Sequence, residues 1–571
     1  MEVPSFRVHA PVRAADVCSA ARVLLRAFAR RGVRVAFGVP GGLIAPVFDA
    51  LAEVPEIELV ATRHEGMAAF AAMGYAAASG RPALVLTTAG PGITNALTGI
   101  AAAFTEDLPV VLVGGDTPAS TRGRGSLQDS STNALDAVAM FRTVTRWSAC
   151  VEHAAAAAGA AQQACQVALG PRPGPVFLSL PLDASTAPSR EFPLSVGSAP
   201  PIPPEPGVCT SIAAALTCAR RPLLVVGNGA RRAARELRIL AERLAVPVVT
   251  TPHAKGVFPE SHPLHLGGIG LGGHPSACEY LAAHPDVVVI VGSKLGELTT
   301  NGWTQLVEGT DATFQIDREP LAIGRNQAVT FGVLADAALA LRAILDALPD
   351  DPQPLPELRP LRRVFEESLD EDSVPLHPAQ AVLLLQQAFP DATFTADMGE
   401  HCAFALHYLI IDDPDRFRAM VGLGSMGSGI GCAIGMHCAD PCRPVVCICG
   451  DGGLAMHVGE LLTCVENRLD VVFAVFNDGR WNMVHHGMRA QFGRLPAALP
   501  SRVADFAQVA QALGATGVRV ERARDLEPDR LRSVARRGGP VVLDIRIDAD
   551  VSLGAAARAS ALRRSTTRGA P

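Results

Sequence analysis

The chain has 571 residues, 49% of them apolar and only 19% charged, with a net charge of −6. That composition excludes a disordered chain, speaks against a nucleic-acid or anionic-membrane partner, and at roughly 100–200 residues per domain implies several domains. No apolar run is long enough to span a membrane without a Gly, Pro or charge. Residues 1–15 carry arginines but no apolar block ahead of a small-residue cleavage site, so secretion is not expected. The 13 cysteines therefore read as free thiols in a reducing cytoplasm.

In chain order, short β-branched runs ending at or near Gly alternate with helical patterns. Residues 82–88 (PALVLTT) and 109–114 (PVVLVG) read as buried parallel strands. The proline-rich stretch 189–207 cannot hold a helix or a central strand and reads as a linker. Residues 222–227 (PLLVVG), 246–250 (VPVVT) and 286–292 (DVVVIVG) repeat the strand pattern, and a second proline-rich linker covers 349–360. Residues 444–450 (PVVCICG), 470–476 (DVVFAVF) and 540–545 (PVVLDI) repeat it again. From about residue 555 the chain is Ala-, Arg-, Ser- and Thr-rich and reads as a loose tail. The alternation predicts an α/β protein of three doubly wound parallel-sheet domains, at 1–188, 208–348 and 361–555. Ligands of such sheets sit beyond the carboxyl ends of strands.

Two such turns stand out. Gly450-Asp451-Gly452-Gly453 follows one predicted strand and Asn477-Asp478-Gly479-Arg480 follows the next. Successive strand ends would bring Asp451 and Asp478 together. Two carboxylates there suit Mg²⁺, and the glycines let backbone N–H groups approach a diphosphate. The alternative is a pair of solvated turn aspartates.

This constellation resembles the thiamine-diphosphate (ThDP) enzyme family of the pyruvate oxidase and acetolactate synthase type, whose motif is GDG, a spacer, then Asn followed by Asn or Asp. The resemblance covers nearly the whole chain. It implies pyrimidine-binding, central and diphosphate-binding domains, ThDP and Mg²⁺ as cofactors, and metal ligands at Asp451, Asp478 and the Arg480 carbonyl. Asp478 in place of the commoner Asn, Trp481-Asn482-Met483-Val484 after it, the run 135–148 and Asp397-Met398-Gly399 look similar to the catabolic, FAD-independent acetolactate synthases.

ThDP chemistry needs a carboxyl group that exchanges a proton with the aminopyrimidine, and burial raises a carboxyl pKa towards the working pH. Glu65, after the apolar run 57–61 and at the start of the alanine-rich stretch 67–79, matches the family's activating glutamate; for an isolated residue, a helix N-terminal Glu favoured by the dipole would serve as well. Ala89-Gly90-Pro91-Gly92 with Asn95 matches the family's SGPG-x-x-N turn, and Pro40-Gly41-Gly42 its PGG turn. Residues 422–427 (GLGSMG) match the segment that bends the cofactor, with Met426 as the apolar wedge and the Gly424 carbonyl on the amino group. Read naively, that segment is a dinucleotide fingerprint, but no acidic residue follows at the expected place. The resemblance places Gly399, His401, Gly450, Gly452, Gly453 and Met483 on the cofactor as well. Glu400 stands where many members have Gln; an acid beside a diphosphate would be repulsive, so its side chain is expected to point elsewhere.

On the substrate side, simple pyruvate decarboxylases carry a proton-donating Glu in the loop that aligns near Met483 and Val484, and a His-His pair in the first domain. Neither is present. That favours ligation after decarboxylation: a 2-oxo acid, pyruvate, is decarboxylated and its acyl carbanion passes to a carbonyl acceptor. Trp481, His485, His486 and Gly487 are the substrate-side candidates of the late loop. Gly487 replaces the Trp or Gln of relatives and would open the acceptor pocket, while His485 and His486 alternatively form a solvated loop pair. The first-domain Gln of the family aligns with Asn133, with Gln128 five residues earlier as the other candidate. The family's flavin stretch appears as Gly292-Ser293-Lys294-Leu295-Gly296-Glu297 without its arginine, which leaves FAD doubtful. His437, Cys438 and Cys442 offer one partner pair, too few for zinc. The resemblance also implies a homodimer or homotetramer, because the activating acid and the metal motif lie in different domains and meet across a subunit interface in the family. The alternatives are a simple 2-oxo acid decarboxylase, a flavin-dependent pyruvate oxidase and a non-catalytic paralogue.

Overall fold

The computed structural model describes residues 17–191, 201–304, 309–349, 361–365, 373–495, 499, 502–555 and 559. These form two compact units. The first runs to residue 191 apart from Ala77–Ser79, and the second holds Ala77–Ser79 and everything from residue 201 onward.

The first unit contains β1 (Val17–Ser19), β2 (Val35–Gly38), β3 (Glu58–Ala61), β4 (Ala83–Thr87), β5 (Val110–Asp116), β6 (Trp147–Cys150), β7 (Val176–Pro181) and β8 (Pro188–Arg190). Six of them make a parallel sheet in the order β3-β2-β4-β5-β7-β6, and β1 pairs antiparallel with β8. Leu84, Leu86, Val111 and Val113 face one core with Leu24, Phe28 and Cys165. The alternate residues Val85, Val110 and Leu112 are equally buried on the other face. Burial of both faces is why these strands read as unbroken apolar runs.

The second unit holds two more six-stranded sheets. One contains β9 (Pro222–Val226), β10 (Val248–Thr250), β11 (His265–Gly268), β12 (Val287–Val291), β13 (Ala312–Asp317) and β14 (Phe331–Leu334), in the order β11-β10-β9-β12-β13-β14. Leu224, Val226, Val287, Val289 and Val291 face one cluster; Leu223, Val225, Val288 and Ile290 face another. The last sheet contains β15 (Thr393–Ala396), β16 (Phe417–Ala419), β17 (Val445–Gly450), β18 (Val471–Asn477), β19 (Thr516–Val520) and β20 (Val541–Arg546), in the order β16-β15-β17-β18-β20-β19. All its pairs are parallel. The first and last sheets therefore share one topology, and the middle sheet has the other common doubly wound order. Strand order reverses between β2 and β4, between β9 and β12, and between β15 and β17, which marks three places where a ligand could sit.

The two sheets of the second unit are tied together by buried polar contacts. Lys255 Nζ donates to Glu260 at 2.7 Å and to the Leu406 carbonyl at 2.8 Å. The rings of His274 and His407 stack with centroids 4.4 Å apart. Cys447 and Cys449 lie fully buried in β17 as free thiols.

The linker 189–207 needs a correction at its ends. Ser189 and Arg190 belong to β8, and the helix Pro206–Cys218 starts inside it, where the Glu205 carboxylate accepts from the N–H groups of Gly207 and Val208 at 3.1 and 2.8 Å. Proline is tolerated there because the first N–H groups of a helix have no partner within it. Residues 192–200 of this linker, 350–360 of the second, and nearly all of the tail beyond 555 lie outside the described residues.

Candidate active site

In the second unit, a cavity of about 210 Å³ opens at the carboxyl ends of β15, β17 and β18, beside the reversal of strand order. Gly399 and His401 reach it after β15, and Gly424 and Met426 from the following loop. Gly450 to Gly453 reach it from the end of β17, and Asp478, Arg480, Trp481 and Met483 after β18. The sequence reading thus converges here from four separate turns.

Asp451 opens the helix Asp451–His457 and Asp478 follows β18 directly. Burial pushes the Asp451 carboxyl up to about 6. Burial, then the charge of Asp451, pushes Asp478 up to about 7. Two buried carboxyls held this high, one of them raised further by the charge of the other, are poorly compensated by protein alone, which suits a divalent cation beside them. A Cβ built on Gly452 would stand 2.7 Å from the Trp481 indole and 3.2 Å from Met426 Cε, so only glycine lets these side chains close on the turn. His401 is buried against Gly399 and Gly450, and burial lowers it to about 4, leaving a neutral ring. Its Nε2 is buried without a hydrogen-bond partner among the described residues. An orphaned ring nitrogen in a cavity wall needs a ligand atom or water, and a phosphate oxygen would serve if Nε2 carries the proton.

Glu400 lines the same cavity, yet its Oε1 turns to the chain beyond β20. It accepts from Ser552 Oγ at 2.7 Å and from the N–H groups of Leu553 and Gly554 at 2.6 and 2.8 Å. The acid expected to point elsewhere thus clamps residues 552–554. His485, His486 and Gly487 lie on the helix Asn482–Phe492 rather than in a loop, and they do not line the cavity. His486 Nε2 bonds the Ala549 carbonyl at 2.9 Å, and His485 sits 3.5 Å from the Arg480 guanidinium. A Cβ on Gly487 would meet nothing within 4 Å.

In the first unit, the equivalent reversal lies between β2 and β4. Gly41 packs on Thr88, where a Cβ would stand 2.6 Å away, while Pro40 is exposed. Glu65 is buried at the start of the helix Glu65–Ser79, which His64 caps through Gly66 N–H at 3.0 Å. Asn95 Nδ2 donates to Glu65 Oε2 at 2.9 Å, so Asn95 holds the acid. Gly90, at φ +60, donates its N–H to Ser130 Oγ at 2.8 Å. Gln128, itself at φ 62, lies beside it: a Cβ on Gly90 would be 3.0 Å from Gln128 Cβ. A non-glycine residue in that conformation is strained and merits a functional reading. Asn133 is exposed beside Gly123 instead, so the structure brings Gln128 and not Asn133 to the Gly90 turn.

Residues 18–140, 209–344 and 397–545 match, in turn, the N-terminal TPP binding, central and C-terminal TPP binding domains described for thiamine pyrophosphate enzymes. The chain belongs to the thiamine pyrophosphate enzyme family. Within it, the chain is 31% identical over 555 residues to the acetolactate synthase isozyme 3 large subunit of Escherichia coli K12, covering 93% of this chain and 95% of that one. It is 29% identical over 531 residues to the isozyme 1 large subunit of the same organism, covering 91% and 92%. It is 30% identical over 554 residues to an acetolactate synthase of Arthrospira platensis, covering 92% and 94%. It is a ThDP-dependent enzyme of the acetolactate synthase type.

The cavity fits that cofactor's diphosphate: glycine turns for close approach, an orphaned imidazole and two carboxyls for a bridging cation. At the switch point of the middle sheet the glycines pack on one another. A Cβ on Gly227 would be 2.1 Å from the Gly292 carbonyl oxygen, and one on Gly229 would be 2.7 Å from Gly292 Cα. These glycines serve the packing of two turns on each other. No helix among the described residues is long and apolar enough to cross a membrane.

Five wall residues were not among the sequence candidates. Pro378, Phe404, Phe476, Ile547 and Val551 come from four separate segments. Only Phe476, the last apolar residue of a predicted strand before the Asn-Asp pair, could have been found from its position.

Proposed function

We propose that the enzyme decarboxylates a 2-oxo acid, pyruvate, and transfers the acyl unit to a carbonyl acceptor, giving an acyloin or a 2-hydroxy-2-alkyl acid. The observation that carries the ligation step is the cavity wall at Met483 and Val484. Both side chains are apolar where a decarboxylase would need an acid, and a proton donor there would release the acyl unit as an aldehyde.

When bound, ThDP supplies the nucleophilic carbon to which the acyl carbon attaches. Asp451, Asp478 and the Arg480 carbonyl would hold Mg²⁺, and His401 with the glycines of 450–453 would hold the diphosphate. Met426 and the Gly424 carbonyl would support the rest of the cofactor. Glu65 exchanges the activating proton through Oε1, since Asn95 engages Oε2. Trp481, in the cavity wall, and Gln128, beside the Gly90 turn of the first unit, are the substrate-side residues, while Gly487 lies outside the cavity wall with open space around it. Asp478 and the segment 481–484 favour the catabolic, flavin-free type.

The pyrimidine, central and diphosphate roles fall to 1–188, 208–348 and 361–555. Glu65 and the metal turn belong to separate units, which supports an assembly of two or four copies. None of the 13 cysteines forms a disulfide, which supports a reducing compartment, the cytoplasm. The test is a product screen by mass spectrometry with pyruvate, ThDP, Mg²⁺ and a panel of aldehydes, ketones and 2-oxo acids. Ligated products exceeding free aldehyde are expected; aldehyde alone would leave a simple decarboxylase.

A further inference from the structure

We propose that Asp397 is the positioning residue of the cofactor cradle, its carboxylate locking the turn that carries Gly424 and Met426 against the turn 450–453. The inference rests on the site reading above. It concerns a residue that does not itself line the cavity and packs behind its wall at Gly453.

Asp397 follows β15 and is fully buried. Its N–H donates to the Ile448 carbonyl on β17 at 2.9 Å, which fixes its backbone between the two strands where the order reverses. Its Oδ2 accepts from Gly427 N–H at 2.9 Å and its Oδ1 from Gly429 N–H at 3.0 Å. Those two groups begin the helix Ser428–Ala439, whose N-cap, Gly427 at φ +88, brings no side-chain acceptor of its own. A carboxylate from another strand therefore does the capping, with the helix dipole in its favour.

Three consequences bear on the site. The peptide between Met426 and Gly427 is planar, so holding Gly427 N–H fixes the Met426 carbonyl and the path of the wedge residue. A Cβ on Gly453 would stand 2.4 Å from the same Oδ2, so one oxygen touches both the wedge turn and the diphosphate turn. A Cβ on Gly429 would be 2.5 Å from Asp397 N, so the helix start has no other way to sit. Both oxygens accept, which an amide cannot reproduce: the change Asp397→Asn would aim an NH₂ at one of the two N–H groups. Burial raises the carboxyl to about 6, still below neutral, so both oxygens accept at pH 7.

The test compares Asp397→Asn with Thr395→Val. Thr395 Oγ1 donates to the Gly429 carbonyl at 3.1 Å, so its loss loosens the same helix start without releasing the wedge turn. Each full-length variant is measured for melting temperature without cofactor, for the near-ultraviolet circular dichroism of the bound aminopyrimidine during ThDP titration with Mg²⁺, and for kcat and KM. D397N is expected to lose most of the dichroism and about 100-fold in kcat, with KM and ThDP half-saturation moved less than about threefold, because misplacement by about 1 Å has that cost. T395V is expected to keep both signals. On an M426A background, D397N is expected to cost less than about twofold more, since coupled residues are not additive. If D397N does not fold, Asp397→Glu carries the test, keeping two acceptor oxygens but displacing them by one methylene, and the same loss of dichroism is expected. Wild-type dichroism and kcat in D397N, or a loss that multiplies fully with that of M426A, would overturn the inference alone. No cofactor signal in the wild type would overturn the site reading and the inference with it.

Discussion

Asn95 Nδ2 donates a 2.9 Å hydrogen bond to Glu65 Oε2, joining the helix Pro91–Thr105 to the first residue of the helix Glu65–Ser79. The bond leaves one oxygen of a buried carboxyl to exchange protons and fixes where that oxygen points. Hydrogen bonds to charged groups contribute about 1.5–3 kcal/mol, so Asn95→Ala should lower kcat about 10- to 100-fold. Glu65→Gln should lower it further, by about 10²–10⁴. Steady-state kinetics with unchanged Mg²⁺ affinity in both variants is the expected pattern. Near wild-type kcat in E65Q would remove the proton exchange from Glu65.

Mg²⁺ binding should depend on pH through Asp478 and Asp451. Their carboxyls stand at about 7 and about 6 in the metal-free protein, far above the ordinary 3.8. A cation needs both ionised, so affinity should fall about tenfold per pH unit below about 7 and more steeply below about 6. Isothermal titration between pH 8 and pH 5.5 would read this.

The same shifts have a stability consequence of fixed sign. Between the unfolded carboxyl range and about 7, the native metal-free protein holds protons that the unfolded chain has lost. Its stability should therefore fall as pH rises through this window, and saturating Mg²⁺ should restore it by mass action. Asp478→Asn should raise the metal-free melting temperature at pH 7.5 while weakening Mg²⁺ binding. A melting temperature lowered by that change would contradict a buried Asp478 carboxyl that the charge of Asp451 destabilises.

Glu400 should hold the segment after β20. Its Oε1 accepts from Ser552, Leu553 and Gly554, and Val551 beside them forms cavity wall. Glu400→Ala removes the acceptor of several buried donors, each costing about 1–3 kcal/mol when unpaired. Hydrogen exchange at residues 552–554 should quicken by at least tenfold, with little change at β17. Unchanged exchange there would mean that the segment is held by other contacts.

Gly487 should admit bulk on the face of Met483. The two are four residues apart on the helix Asn482–Phe492 and share a face, and Gly487 has open space around it. Gly487→Trp should fold normally. It should discriminate against larger acceptors by about 10- to 200-fold in kcat/KM, the range available to a hydrophobic pocket. Equal loss for all acceptors, or none, would take Gly487 out of acceptor selection.

The parallel strands were legible because strands buried on both faces must be continuous β-branched runs, as 286–292 and 444–450 are. β2 (VAFG), β6 (WSAC) and β16 (FRA) were not, being short and mixed in composition. The turns of the site were legible for a local reason: close backbone approach and metal ligation demand Gly and Asp at fixed neighbouring positions. What the sequence hid depends on distant partners. Glu400 could be recognised as awkward beside a diphosphate, but its direction is set by N–H groups of residues 553 and 554. Gln128 and Asn133 were indistinguishable until the loop's path put Gln128 against Gly90.

The most direct measurement is calorimetric titration of ThDP into the purified protein, with and without Mg²⁺, for the wild type and Asp451→Ala. Saturable binding that requires Mg²⁺ and is lost in D451A is the predicted result. Binding that ignores Mg²⁺, survives D451A unchanged, or is absent from the wild type would contradict a diphosphate anchored through the β17 and β18 turns.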